Sequence, residues 1–328
     1  MSASNSLSRK WRIAIALIAV SIASLYIALL AGTFPISARQ LLDSMLFPVP
    51  GVVHDVIWRL RAPRALAAFA CGGLLALAGL LLQVLLRNPL ADPYILGVSG
   101  GAALGALLAL TFGAGAALMG TASFAGAIAA ILIVFIVGFR GRDWNVYRLL
   151  LTGVVLSAGF AALASLTLAL APQAQVKGML FWLMGDLAYA GSPLPAWVIL
   201  VAGAALAVTQ AVRLDLLALG EIKAQSLGVA VRPLQAAVFV VSAIATVAAV
   251  QLAGAIGFVG LMVPHAVRLM GVTQHRALAP LAVLLGGSFL TVADVAARTL
   301  WAPLQLPVGV LTALIGVPAM LWLLGRMR

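Results

Sequence analysis

The stretch Gln83–Ala102 reads Q-V-L-L-R-N-P-L-A-D-P-Y-I-L-G-V-S-G-G-A. One long apolar run ends at Arg87 and another begins at Tyr94. Between them stand Pro89 and Pro93. Proline removes a backbone donor and steers the residue before it away from helix. Asn88–Asp92 therefore reads as a short, stiff connector between two apolar helices.

Composition places that connector in a bilayer. Of 328 residues, 64% are hydrophobic and 9% charged, where a soluble domain carries about 25% charged residues. Mean hydropathy is +1.17. Many runs reach the roughly 20 residues a membrane helix needs. None shows the alternation of a membrane β-barrel, so the expected class is all-α and polytopic. Ten crossings can be marked, at 11–33, 65–86, 94–112, 118–139, 149–171, 194–212, 234–253, 255–270, 278–300 and 307–325, within a single domain spanning 1–328. The first follows Arg9, Lys10 and Arg12 and is too long for a signal-peptide core. The lone cysteine, Cys71, lies inside an apolar run and reads as a small buried hydrophobe.

An even number of crossings puts both termini on one side. With that side cytoplasmic, 14 of the 20 basic residues fall inside, among them Arg87, Arg140, Arg142, Arg148, Arg213, Lys223, Arg232, Arg268, Arg276 and the terminal charges. Arg39, Arg59, Arg61, Arg64, Lys177 and Arg298 fall outside. The asymmetry follows the positive-inside rule and accounts for part of the net charge of +12. No loop concentrates charge with aromatics, so nucleic acid is not an expected partner.

Two segments fit neither crossing nor simple loop. Residues 172–190 are too short and polar to span; Met179, Trp182 and Met184 suggest an amphipathic helix at the outer surface. Residues 213–232 form the longest cytoplasmic loop, read as two short helices broken near Gly220 and capped at Gly228. In the third crossing, Gly97, Gly101 and Gly105 recur every four residues, a stripe suited to close helix packing or to lining a route.

The chemistry is sparse. A secondary transporter keeps an ionisable group near mid-membrane, yet only Asp294 comes near such a position. A proton-coupled transporter is thus a weaker reading. No G-x-x-x-x-G-K-[ST] occurs, so this chain offers no P-loop for ATP. Energy for uphill transport then comes from a partner. Gly97-Val98-Ser99-Gly100-Gly101 matches the nucleophile-elbow pattern, and an intramembrane serine protease would pair Ser99 with His265. In a chain rich in glycine and serine that match carries little weight. His54, His265 and His275 lie too far apart for metal-ligand spacing, so no metal site is expected.

Several blocks now combine. R-A-P-R (61–64) leads to Q-V-L-L-R-N-P-L-A-D-P, then L-G-V-S-G-G-A, R-L-L-L-T-G (148–153), F-W-L-M-G-D (181–186) and L-G-E-I-K-A-Q-S-L-G-V (219–229). After these come G-A-I-G-F-V-G-L-M-V-P-H-A-V-R (254–268), A-D-V-A-A-R (293–298) and L-P-V-G-V-L-T-A-L-I-G-V-P (306–318). In this order the chain resembles the FecCD-type permeases, membrane subunits of type II ABC importers for iron–siderophore complexes, heme and cobalamin. The resemblance implies a ten-helix subunit in a bacterial inner membrane, paired as a homodimer. It also implies two copies of a separate ATPase that holds the ATP and magnesium, and a periplasmic substrate-binding protein. It places ATPase coupling at Leu219, Gly220, Glu221, Ala224, Leu227 and Gly228, and binding-protein docking at Arg61, Arg64 and Arg298. A cytoplasmic gate falls at Asn88, Leu90, Val146 and Tyr147, and a periplasmic gate at Met179, Trp182, Met184 and Gly185. The chain itself would be non-catalytic and bind no cofactor. Iron chelates, siderophore or heme, stand first as substrate, with cobalamin as the alternative.

Overall fold

The computed structural model describes residues 3–47, 49–138, 146–188 and 190–326, and all regular structure among them is helical. Arg140, Arg142 and Arg328, three of the charges used for orientation, lie outside the described residues. Helix α1 (Ala3–Leu30) is followed by α2 (Ala38–Leu46) and the single turn α3 (Val52–Asp55). A π-helical segment, Val56–Arg61, leads into α4 (Ala62–Leu85). A 3₁₀ turn, Pro93–Leu96, then opens α5 (Val98–Thr111), with α6 (Ala116–Gly138), α7 (Val146–Leu170) and α8 (Gln173–Met184) after it. Next come α9 (Leu194–Thr209), α10 (Ala211–Ala218), α11 (Glu221–Ser226) and α12 (Val231–Ala253). The last three are α13 (Val259–Leu269), α14 (His275–Thr299) and α15 (Val308–Arg326).

Six helical stretches are long and apolar enough to span a bilayer. The α9–α10 pair, bent by 68°, supplies a seventh, and α5, α13 and α15 are shorter apolar helices. Together these correspond to the ten crossings expected. The second is longer than the sequence suggests: helix runs unbroken from Val52 to Leu85. Pro63 looks like a helix start, yet the π segment just before it has already shifted the ladder, with Ala62 N–H bonded to Ile57 O. A second departure is α2, whose Ser37–Gln40 capping box satisfies two orphan N–H groups at a helix start.

Helix α4 is the centre. Of its most apolar window, 94% is buried, against 22% for α1 and α6 and 17% for α7. Helices α14, α12, α13 and α9 pack around it. A helix apolar on every face belongs inside a bundle, and its small residues let neighbours approach at backbone distance. A Cβ on Gly72 would lie 2.2 Å from Gly286 O of α14, and one on Gly79 would lie 2.0 Å from Gly260 O of α13. The Gly101–Gly105 stripe of α5 works the same way, against Gly126 and Ala122 of α6. With no hydrophobic effect between helices in lipid, such close van der Waals fits supply much of the association.

Candidate functional site

The bundle has two functional-looking ends. At one, the start of α4 meets the ends of α1 and α14. Arg64 holds the Asp294 carboxylate through Nε (3.0 and 3.1 Å) and Nη2 (2.8 Å), and Asp186 lies 3.8 Å away. Arg298 approaches Asp294 from one turn further on, Nε to Oδ2 3.4 Å. Arg61 donates to Leu29 O (2.8 Å), Leu30 O (2.7 Å) and Phe34 O. Arg298 donates to Ala28 O (2.7 Å) and Ala31 O (3.0 Å). All but Phe34 O lie at the end of α1, where a helix leaves acceptors unpaired and favours cations.

Arg61, Arg64 and Arg298 are therefore brought together around one cavity. However, Arg61 and Arg298 are buried and their guanidinium groups are engaged inside the chain. They line the floor of a 410 Å³ bowl shared with Arg59, Leu187 and Gln305. Arg59, absent from the sequence-based set, stands at its rim with its side chain 79% exposed, 3.0 Å from Asp55. Its signal was present, as one more basic residue on the side the orientation rule disfavours.

Beside the bowl, α8 ends against two other chain breaks. Gly185 is left-handed (φ 76°), its N–H bonded to Trp182 O and its carbonyl accepting from Gly309 N–H at 3.2 Å. Asp186 N–H donates to Ala253 O at 2.8 Å. A Cβ on Gly309 would lie 2.0 Å from Met184 O, and one on Gly254 2.5 Å from Trp182 O. Of the expected outer-gate residues, Met179 is buried, Trp182 half-buried and Met184 at the surface. Gly254 and Gly309 are the additions. Burial raises the pKa of the Asp186 carboxyl above its ordinary value, opposed by the Ala188 N–H and by Arg64.

At the opposite end, the connector after α4 is closed by its own hydrogen bonds. Leu90 N–H donates to Asn88 Oδ1 (2.9 Å), Ala91 N–H to Asn88 O (3.1 Å) and Tyr94 N–H to Asp92 Oδ1 (2.8 Å). These bonds close the two-proline segment into a compact turn. Helix α7 packs beside it, with Gly153 against Ile95 O. Tyr147 is exposed; the Val146 side chain lies outside the described residues. Gly97 (φ 74°) turns the chain into α5, which is the use the G-x-S-x-G match serves.

The loop 213–232 has the expected form: α10, a break at Gly220 (φ 113°), α11, and Gly228 (φ 81°). Its inner side is anchored by buried Leu214, Leu217 and Ala224. Its outer side carries Leu219, Ile222 and Leu227, respectively 61, 85 and 60% exposed. Asp215 ties α10 to the start of α14, accepting from the His275 backbone N–H at 3.0 Å and pairing with the His275 ring. Lys10 Nζ donates to Gln274 Oε1 nearby, 2.9 Å. Glu221 accepts from Gln235 Nε2 (3.1 Å) and Arg87 Nη2 (3.4 Å).

Two ends joined by long apolar helices suit a conduit. Residues 17–326 match the model of the FecCD transport family. The chain belongs to the FecCD transport family. Among its members, the vitamin B12 import system permease protein BtuC of Klebsiella pneumoniae is 37% identical over 83% of each chain. The cobalamin import system permease protein BtuC of Halobacterium salinarum is 39% identical, over 85% of this chain and 75% of its own. A solved structure described as a metal-chelate type ABC transporter in an inward-facing conformation superposes with TM-score 0.86. It is 32% identical and covers 96% of this chain and 99% of that one. PsaBC from Streptococcus pneumoniae shares the fold alone, at TM-score 0.56 and 17% identity. The family fold is that of a multi-pass type II ABC importer permease, a transport protein.

Proposed function

We propose that this chain is the permease of an ATP-driven importer that moves a bulky metal chelate from periplasm to cytoplasm by alternating access. Two copies pair around the route, with both termini cytoplasmic and α10–α11 facing inward. A separate ATPase, one copy per permease, binds ATP and magnesium and seats on α10–α11. The loaded binding protein docks at the arginine bowl, where Arg59 and Arg64 offer the accessible charge. Arg61 and Arg298 shape the floor. Guanidinium groups suit acidic partners because they pair with carboxylates in two-point geometry.

The observation that carries this reading is the outer side of α10–α11. Leu219, Ile222 and Leu227 expose large apolar surface on a helix pair pinned to the core from behind. A charged loop end gains nothing from such surface unless another protein covers it. The relatives' names support cobalamin ahead of ferric siderophore or heme, which reverses the order expected from sequence. The test is uptake of labelled cobalamin, heme and ferric siderophore in cells lacking this permease. Cobalamin uptake should be lost, and it should also be lost when the cognate ATPase is deleted. Persistence of all three, or indifference to the ATPase, sinks the proposal.

A further inference from the structure

Arg87 follows the last turn of α4 with a left-handed backbone, φ 49°. Arg87 N–H bonds to Val84 O (3.2 Å) and Asn88 N–H to Gln83 O (3.1 Å). These two bonds form the Schellman arrangement, in which the left-handed position normally goes to glycine because a Cβ crowds the carbonyl. Elsewhere this chain obeys that preference. The same pair of bonds closes α5, α11 and α13, each time with a positive-φ glycine in that position: Gly113, Gly228 and Gly271. At the end of α4 it tolerates the crowding, so the side chain supplies something glycine cannot.

The guanidinium reaches Glu221, the first residue of α11, at 3.4 Å. The same carboxylate oxygen accepts from Gln235 of α12 at 3.1 Å, and Gln235 is buried. Glu221 is thus braced on the core side and holds Arg87 on the other. Arg87 in turn is covalently joined to Asn88, whose carbonyl and side-chain oxygens close the connector into one unit.

We propose that Arg87 is a positioning residue that ties the connector 88–92 to α11, so that a shift of α11 is delivered to the connector rather than absorbed by the loop. The inference rests on α10–α11 being the ATPase seat. It assigns Arg87 no contact with substrate. It gives the strained backbone at residue 87 a purpose, since a residue held in a sparsely populated conformation persists where its surroundings require it.

The experiment uses the permease reconstituted with its ATPase and binding protein in liposomes and measures ATP hydrolysed per cobalamin delivered. R87G relieves the left-handed crowding, so its thermal midpoint should equal or exceed that of the unaltered complex. Its ATP-to-substrate ratio should nevertheless rise about two- to five-fold, the range a half-exposed ion pair can carry. R87E and E221R should each raise the ratio, and the double exchange R87E/E221R should bring it back towards the unaltered value. The Gln235 amide can turn its oxygen to an arginine at 221. An R87G ratio equal to that of the unaltered complex overturns the proposal, as does a double exchange no better than its worse single variant. Uptake by the unaltered complex without ATP would instead overturn the ATPase seat itself.

Discussion

Removing the Asp294 carboxylate tests the arginine end most directly. The side chain is 2% exposed and lies between two guanidinium groups, with Arg64 at 2.8–3.1 Å and Arg298 at 3.4 Å. Asp294→Ala leaves buried Arg298 and half-buried Arg64 facing one another without the carboxylate between them. Breaking a buried pair from one side costs about 3–5 kcal/mol. Asp186 remains 3.8 Å from Arg64 as a partial counterion, so the lower value, about 3 kcal/mol, is expected. Over 328 residues, an unfolding entropy of about 2.1 cal/mol/K per residue converts this to a fall of about 4 °C. Helices persist in detergent, which lowers the entropy and enlarges the fall, so 4 °C is a floor. The assay is a tryptophan-fluorescence melt of the detergent-solubilised protein. R64M/D294M, which removes cation and anion together, should melt above D294A. An Asp294→Ala midpoint within about 1 °C of the parent would refute the clamp. Asp294→Asn has a second use in transport: abolished uptake with hydrolysis intact would make Asp294 a transport group and revive proton coupling.

Gly79→Ala should force α4 and α13 apart at Gly260, costing about 1–3 kcal/mol; an unchanged melt would mean the crossing is looser than the 2.0 Å approach implies. Ile222→Asp should weaken ATPase association about 10- to 100-fold, the burial of one large aliphatic side chain. Co-purification and titration read this, and an unchanged dissociation constant would remove Ile222 from the seat. Asp186 lies between α8 and α9, and burial raises its pKa above the ordinary 3.8. The folded chain then holds that proton more tightly than the unfolded one, so stability falls as pH rises upward from 3.8 through the folded-state value. Asp186→Asn should flatten that slope in melts run from pH 3.8 upward; an identical slope would refute the assignment.

Much of this was legible in the sequence. Helices of about 20 apolar residues, the stiff N-P-L-A-D-P connector, the break at Gly220 and the glycine stripe of α5 follow from local rules that tertiary structure does not override. The second crossing, expected at 65–86, begins at Val52 because a π segment carries the helix through to Pro63. The resemblance places Arg61 and Arg298 at a docking face, yet carbonyls at the end of α1 draw both side chains inward. Arg59, Gly254 and Gly309 were missed since their roles depend on which chain segments meet, and no spacing along the sequence encodes that. Arg87 was passed over as a boundary charge; only its backbone conformation sets it apart.

The near-complete enclosure of α4 has a consequence for how the protein is made. A helix with so little surface facing lipid has no need of apolarity for residence there. It does need apolarity to leave the insertion machinery, before α9, α12, α13 and α14 have been synthesised to surround it. Its sequence thus answers to two moments: leucines for the time it is alone in the bilayer, and Gly72 and Gly79 for the time it is not. A substitution at either glycine would pass through insertion unnoticed and fail only at assembly. The weakened chain would be fully inserted but loosely packed at that crossing, a target for membrane quality control rather than for cytosolic aggregation.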